Sequence, residues 1–140
     1  LAEARIYTSA APDANAEHDI QLGLNVVRAL GALDVGQAAV VHQGVVLGVE
    51  AQEGTDALLE RCAGLRQLDR GGVLVKVKKP HQERRVDLPT IGPRTVEGAT
   101  AAGLSGIAVE AGSVLIVDAE QVRDIADAAG LFVIGVPVPS

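Results

Sequence analysis

Cations and a carboxylate are concentrated in one part of this 140-residue chain, from Lys76 to Thr95, termed here the basic segment. It carries six of the twelve Lys and Arg residues and only two acidic residues, whereas the whole chain has a formal net charge of −6. Asp87 lies in its centre and is followed by the stiff sequence Leu-Pro-Thr-Ile-Gly-Pro. Lys and Arg bind phosphate oxygens, and a fixed carboxylate can hold a metal ion or orient water. The basic segment therefore suggests chemistry on a phosphorylated substrate.

Simpler explanations exist for both features. A charged run is usually a solvated surface, and an Asp ahead of a proline commonly makes local turn hydrogen bonds. Against plain solvation, the cations flank a stretch with three prolines instead of decorating a helix. Asp87 would be ionised among them, which suits Mg²⁺ binding beside substrate phosphates. The residues alone leave both interpretations open.

Further polar residues lie where a predicted strand gives way to a predicted helix. Glu53 and Asp56 flank Gly54 and Thr55 there, and they are candidates to share a cation with Asp87. The exposed amides of a helix start favour phosphate. Thr55 is predicted, at least as readily, to be a plain helix N-cap.

The elements that must position these groups alternate between helices and strands. Val73–Val77 predicts a strand in which Lys76 shares one face with Leu74. Helices are predicted at about residues 17–33, from residue 55 onward, at residues 95–102 and after a capping box that begins at Asp118. Strands are predicted at 38–43, 45–50, 73–77, 107–109, 114–117 and 132–136. This order predicts a single α/β domain, a mixed sheet packed with about four helices.

Composition excludes several classes of protein. The chain is 48% hydrophobic and 21% charged, as expected of an ordinary globular domain. Tyr7 and Phe132 are its only aromatic residues, and its charge is negative, so we expect no nucleic-acid partner. The single cysteine, Cys62, cannot form an internal disulfide and predicts a reducing compartment.

The start of the chain suggests a further domain. The sequence begins with Leu1 and contains no Met, so we expect a preceding domain that is absent here. Residues 1–16 are predicted to be a linker or interdomain tail, and 17–140 the C-terminal domain of a two-domain protein.

Three ordered blocks resemble a known family. They are Glu53-Gly-Thr-Asp56, Gly72-Val-Leu-Val-Lys-Val-Lys-Lys-Pro80 and Asp87-Leu-Pro-Thr-Ile-Gly-Pro-Arg-Thr95. Together they resemble the C-terminal domain of the LpxI-type UDP-2,3-diacylglucosamine pyrophosphatases. The resemblance implies Mg²⁺-dependent hydrolysis of the UDP-2,3-diacylglucosamine diphosphate to UMP and 2,3-diacylglucosamine 1-phosphate (lipid X). That reaction belongs to lipid A biosynthesis in Gram-negative bacteria.

The same resemblance implies roles for individual residues. Asp87 corresponds to the family's essential aspartate, and the expected Mg²⁺ ligands are Asp87, Glu53 and Asp56. The expected phosphate-binding residues are Lys76, Lys78, Lys79, Arg84, Arg85, Thr90 and Thr95. Residues 17–140 are then the catalytic domain, which holds the lipid-linked UDP-sugar together with the absent N-terminal domain. This fragment alone is expected to bind poorly or be inactive.

Location and partners follow from the expected substrate. We expect a cytoplasmic protein with peripheral contact to the inner membrane. A competing hypothesis is a non-catalytic phosphate- or nucleotide-binding module that supports a partner domain, in which Asp87 is structural. Self-association as a homodimer is a third hypothesis, which the high Val, Ala and Leu content permits.

Overall fold

The computed structural model describes residues 1–65, 71–80 and 88–138 of the chain. Its helices are α1 Ala14–Ala32, α2 Thr55–Leu65, α3 Pro93–Ala101 and α4 Ala119–Ala129. Its strands are β1 Ala38–His42, β2 Val45–Val49, β3 Val73–Lys76, β4 Thr90–Ile91, β5 Gly106–Glu110, β6 Leu115–Ile116 and β7 Phe132–Val136. The predicted α/β domain with a mixed sheet and about four helices is confirmed.

The main sheet has the strand order β2-β1-β3-β5-β7. β1 is antiparallel to both β2 and β3, whereas β3, β5 and β7 run parallel. The short strands β4 and β6 pair in parallel as a second sheet. The carboxyl ends of β3, β5 and β7 therefore meet at one edge, the edge at which open α/β sheets bind ligands.

Helices cover both faces of the main sheet. α1 packs on β1 and β3 from one side, and α2, α3 and α4 form a layer on the other. β3 follows the predicted alternation, because Val73 and Val75 face α1 while Leu74 packs in the opposite core. No helix in the described ranges has both the length and the apolar character needed to cross a membrane.

The residues ahead of α1 lie along the β7 edge of the sheet. Ile6 forms a β-bridge with Ile134, and the amide of Tyr7 donates to the carbonyl of Val133 at 2.8 Å. α1 begins three residues earlier than predicted, and a carboxylate oxygen of Asp13 accepts from the amide of Ala16 at 2.8 Å. The role of residues 1–16 as a link to another domain stays a prediction.

The β1–β2 hairpin contains a change of register. Val41 pairs with Val46, but the preceding residue of β1, Val40, pairs with Gly48. Leu47 is the extra residue, so the hairpin carries a β-bulge. Because side chains alternate between the two faces of a strand, one extra residue moves each later side chain of β2 to the other face of the sheet.

The bulge brings a carboxylate into line with a lysine. The amide of Glu50, directly after β2, donates to the carbonyl of Ala38 at 2.9 Å, and Ala38 pairs with Lys76 on its other side. Glu50, Ala38 and Lys76 therefore form one row across three neighbouring chain segments. Residues in such a row present their side chains on the same face of the sheet.

Close contact between β5 and β7 gives a test of the packing. A Cβ atom added to Gly106 would overlap the ring of Phe132, whereas one added to Gly64 on α2 would meet open space. We expect Gly106→Ala to lower the free energy of unfolding by about 1–3 kcal/mol through overpacking. The control Gly64→Ala should raise it by up to about 1 kcal/mol, because Ala favours helix. Urea denaturation measures both, and an unchanged midpoint for Gly106→Ala would contradict the packing described.

Candidate active site

An open cleft of about 440 Å³ lies at the carboxyl end of β3, between the first turns of α2 and α3. We call it the Lys76 cleft. It is lined by Glu53, Gly54, Thr55, Asp56, Lys76, Thr90, Ile91, Gly92, Pro93, Arg94 and Thr95. The fold thus brings together five of the residues predicted from sequence, which are Lys76, Thr90, Thr95, Glu53 and Asp56.

Lys76 lies at the back of this cleft and is only 7% exposed. Its Nζ donates to Thr55 Oγ1 at 2.9 Å and to the carbonyl oxygen of Thr90 at 2.8 Å. Burial lowers the pKa of Lys76 below its usual value of 10.5, and the negative charges of Glu50 and Asp56 partly oppose this change. The ammonium is therefore held in place by two hydrogen bonds and is poorly hydrated, so it interacts strongly with any anion that enters.

Glu50 and Thr55 form the wall behind Lys76. Thr55 Oγ1 donates to Glu50 Oε2 at 2.8 Å, and Glu50 Oε1 accepts from the amide of Gln37 at 3.2 Å. Neighbouring strands are about 4.8 Å apart, so the Glu50 and Lys76 backbones lie roughly 10 Å apart across Ala38. The small side chain of Ala38 leaves room between them, and the Thr55 hydroxyl bridges it.

The predicted N-cap role of Thr55 is wrong. Thr55 is the first residue of α2, and the carbonyl of Gly54 accepts from the amide of Leu58 at 3.1 Å, which places Gly54 at the N-cap. The predicted capping box at Asp118 is also wrong, because Asp118 precedes α4 without a side-chain hydrogen bond to it. The Thr55 hydroxyl bonds Glu50 instead of its own helix, and Asp118 has a left-handed backbone in place of the extended conformation usual at an N-cap.

Two helix starts border the cleft. α2 begins at Thr55, and α3 begins at Pro93 after the extended N-cap residue Gly92. The amide of Gly92 donates to Thr95 Oγ1 at 3.1 Å, which fixes the first turn of α3. Helix starts carry a partial positive charge that favours anions. The starts of both helices and the Lys76 ammonium therefore border one space suited to a phosphate group.

Arg94 adds a second cation at the rim. Its Nη2 lies 3.9 Å from Asp56 Oδ2, and the two side chains are 87% and 60% exposed. An exposed pair at this distance contributes little stability. Arg94 can therefore turn towards an anion in the cleft at small cost, which would leave the Asp56 carboxylate available to a cation.

The predicted metal ligands differ in availability. Glu53 Oε1 accepts from the amide of Ala51 at 2.6 Å, and Glu53 Oε2 lies 3.4 Å from Arg61 Nη2. Both oxygens of Glu53 are thus engaged, whereas the contact of Asp56 with Arg94 is loose and, among the described residues, no closer partner holds its carboxylate. Within residues 1–65, 71–80 and 88–138, no three His, Cys, Asp or Glu side chains are grouped to hold a metal ion. Mg²⁺ commonly uses one or two carboxylates together with substrate phosphates, and Asp56 fits that pattern better than Glu53.

The predicted catalytic Asp87 lies outside the described residues, as do the predicted phosphate ligands Arg84 and Arg85. In sequence, Asp87 directly precedes Leu88, and Thr90 lines the cleft. The Oγ1 of Thr90 donates to the carbonyl of Leu88 at 3.2 Å.

The structure does not bring Lys78 and Lys79 into the Lys76 cleft. Lys78 lines a separate cavity of about 550 Å³ beside α1, where its amide donates to Glu110 Oε1 at 2.9 Å. Lys79 Nζ lies 3.2 Å from Asp34 Oδ1. Sequence proximity to Lys76 was misleading because the chain leaves the strand directly after it.

Three residues of this site were not among those predicted to bind substrate or metal. Arg94 belongs to the basic segment, so charge alone could have suggested it. Thr55 lies at the predicted helix start and was interpreted only as a cap. Glu50 was missed because its place beside Lys76 depends on the bulge in the preceding hairpin, for which Gly48 within the predicted strand was the one signal.

Two comparisons with known proteins agree on one family. A family model of the LpxI C-terminal domain matches residues 3–134. The chain is 56% identical over 124 residues to the UDP-2,3-diacylglucosamine pyrophosphatase LpxI of Caulobacter vibrioides. The match covers 84% of this chain and 44% of that relative, so the chain spans less than half of its length.

The burial of Lys76 predicts an unusual titration. The chain has only three lysines, so ¹⁵N-lysine NMR should give three ammonium signals, which Lys78→Arg and Lys79→Arg variants assign. We expect the Lys76 signal to titrate below 10.5, because desolvation disfavours the charged form. A midpoint at or above 10.5 would contradict the buried position.

The same shift predicts how stability depends on pH. In the folded chain Lys76 loses its proton at a lower pH than in the unfolded chain. Between those two pH values the unfolded chain binds more protons, so this residue makes the free energy of unfolding rise with pH. Urea denaturation across this range should show the rise, and Lys76→Met should remove that contribution.

Proposed function

Because the chain belongs to the family of LpxI C-terminal domains, we propose that it is the catalytic domain of a UDP-2,3-diacylglucosamine pyrophosphatase. The products would be UMP and 2,3-diacylglucosamine 1-phosphate, made in lipid A biosynthesis of a Gram-negative bacterium. The proposal rests on the relative's name and on the cleft, which combines features that bind a diphosphate.

One observation carries the proposal for the site. The Lys76 ammonium is buried and held by two hydrogen bonds, and Lys76 lines a cleft bordered by two helix starts. Fixed positive groups in a poorly hydrated site stabilise the charge that develops on phosphoryl oxygens during hydrolysis. Such a group helps most when it is already in place before the substrate arrives.

The proposed reaction is attack by water on one phosphorus of the diphosphate. The water oxygen forms a bond to that phosphorus, the bridging P–O bond breaks, and the leaving phosphate keeps the electron pair. The protons of the water pass to solvent. Lys76 would neutralise phosphoryl oxygens, with Arg94 at the rim and with Arg84 and Arg85 from the basic segment, and Asp87 would orient the attacking water or hold the metal ion.

We propose Mg²⁺ as the cofactor. Asp87 and Asp56 would hold it, and Glu53 could join only by giving up its present contacts with Arg61 and Ala51. When bound, the ion would supply positive charge to the diphosphate oxygens. Orientation of the substrate would still depend on Lys76 and the two helix starts.

The remaining proposals concern what lies around this domain. The part of the protein that corresponds to the other half of the relative would complete the lipid-binding site. The intact protein would be cytoplasmic and would touch the inner membrane peripherally to collect its lipid substrate. Self-association as a homodimer can be tested by size-exclusion chromatography of the intact protein.

Removal of the proposed catalytic carboxylate tests the activity directly. In the intact protein we expect Asp87→Ala to lower kcat for UDP-2,3-diacylglucosamine by about 10²–10³, the usual effect of losing one such group. Release of UMP measures the rate. The control Asp124→Ala removes an exposed carboxylate on α4 and should leave the rate unchanged. Near-normal turnover by Asp87→Ala would refute the assignment.

Metal dependence separates the enzyme from a non-catalytic binding module. We expect EDTA to abolish UMP release and added Mg²⁺ to restore it, because the ion offsets charge on the diphosphate. A binding module would bind the UDP-sugar without releasing UMP under either condition. Full turnover in EDTA would refute the Mg²⁺ proposal while leaving the reaction in place.

A further inference from the structure

Glu50 is a buried carboxylate that the proposed reaction leaves without a role. It is 6% exposed and does not line the Lys76 cleft. Both of its oxygens have partners, the Gln37 amide on one side and the Thr55 hydroxyl on the other. A buried carboxylate is costly, so its presence beside a proposed catalytic cleft calls for an explanation.

The hydroxyl of Thr55 links this carboxylate to Lys76. A hydroxyl has a single proton to donate, and the Glu50 carboxylate oxygen Oε2 accepts it at 2.8 Å. Thr55 Oγ1 then presents a lone pair to the Lys76 ammonium, which donates to it at 2.9 Å. Glu50 thereby commits Thr55 to the role of acceptor.

The acceptor role of Thr55 affects the orientation of the Lys76 ammonium. An ammonium has three N–H groups. Two of them go to Thr55 Oγ1 and to the carbonyl of Thr90. Both acceptors belong to the wall of the cleft, and the described residues supply no other acceptor, so we take the third N–H to face whatever enters the cleft. Without a committed acceptor at Thr55, the ammonium could rotate and its direction would no longer be fixed.

We infer that Glu50 is a positioning residue for the diphosphate reaction, one that acts through the Thr55 hydroxyl to aim the Lys76 ammonium into the cleft. Glu50 itself would not touch the substrate. This inference rests on the proposed function, and it adds a residue that is separated from the substrate by Thr55 and Lys76.

The register of the sheet supports this role. Glu50, Ala38 and Lys76 share one row, and the bulge at Leu47 is what places Glu50 on that face. Without the bulge the side chain of residue 50 would point to the α1 side. Three features therefore support the link between Glu50 and Lys76. They are the bulge at Leu47, the small side chain of Ala38 and the position of Thr55 at the start of α2.

The test is a pair of substitutions in the intact protein. Glu50→Gln keeps the shape of the side chain but removes its charge, and Thr55→Val keeps the shape but removes the hydroxyl. We expect each to lower kcat by about 10- to 100-fold, the range caused by slight misplacement of a catalytic group. The fall in kcat should exceed any rise in KM, because orientation matters most in the transition state. Thr55→Ser, which restores a hydroxyl, should recover most of the rate, and Glu120→Gln, an exposed change on α4, should have no effect.

The double variant Glu50→Gln/Thr55→Val decides between positioning and mere support of the fold. If Glu50 acts through Thr55, the double variant should be no slower than Thr55→Val alone. Multiplying effects would overturn the inference. So would a normal kcat for Glu50→Gln, or a loss of rate explained entirely by a smaller folded fraction in thermal unfolding.

Lys76→Met separates this inference from the proposed function. A Lys76→Met enzyme with normal turnover would refute the proposed site as a whole. Loss of turnover in Lys76→Met together with normal turnover in Glu50→Gln would refute only the role of Glu50.

Discussion

A buried lysine ammonium at the end of a β-strand is the constraint on which the candidate site depends. Removal of one charged group from water costs on the order of several kcal/mol unless partners compensate it. Lys76 finds those partners in Thr55, the Thr90 carbonyl and, one step further, Glu50. Each partner comes from a different element, so the position of the lysine couples the main sheet, the start of α2 and the short strand β4.

The same constraint supports the proposal that a chain of net charge −6 binds an anion. Most of its charge is spread over exposed surface, where solvent and salt screen it. The cleft concentrates the opposite sign in a small space, with a buried ammonium, two helix starts and the exposed guanidinium of Arg94. Local field, rather than net charge, then decides what binds there.

Much of the fold was readable from sequence because local pattern and burial agree. The alternation in β3 correctly placed Lys76 and Val75 on opposite faces of the sheet, and β7 was predicted with its observed bounds. One error, at Thr55, occurred where a distant partner outweighs local preference. Thr55 has the residue type of an N-cap, yet its hydroxyl serves Glu50 and Lys76 instead.

The site was less predictable than the fold for a specific reason. Its charged residues stood out in the basic segment, but the sequence does not show which way each charged side chain points. Lys78 and Lys79 lie outside the cleft that Lys76 lines. Glu50 was missed because one bulge residue, Leu47, decides its face, and Gly48, a glycine inside the predicted strand, was the one sign of a bulge there. The catalytic role proposed for Asp87 rests on family resemblance, since that residue lies outside the described ranges.

The most direct test of the central claim is a crystal structure of the intact Asp87→Ala protein bound to UDP-2,3-diacylglucosamine. The account predicts that a diphosphate oxygen lies within hydrogen-bonding distance of Lys76 Nζ, between the first turns of α2 and α3. A diphosphate bound elsewhere, with Lys76 still enclosed by Thr55 and Thr90 and making no contact with it, would contradict the account.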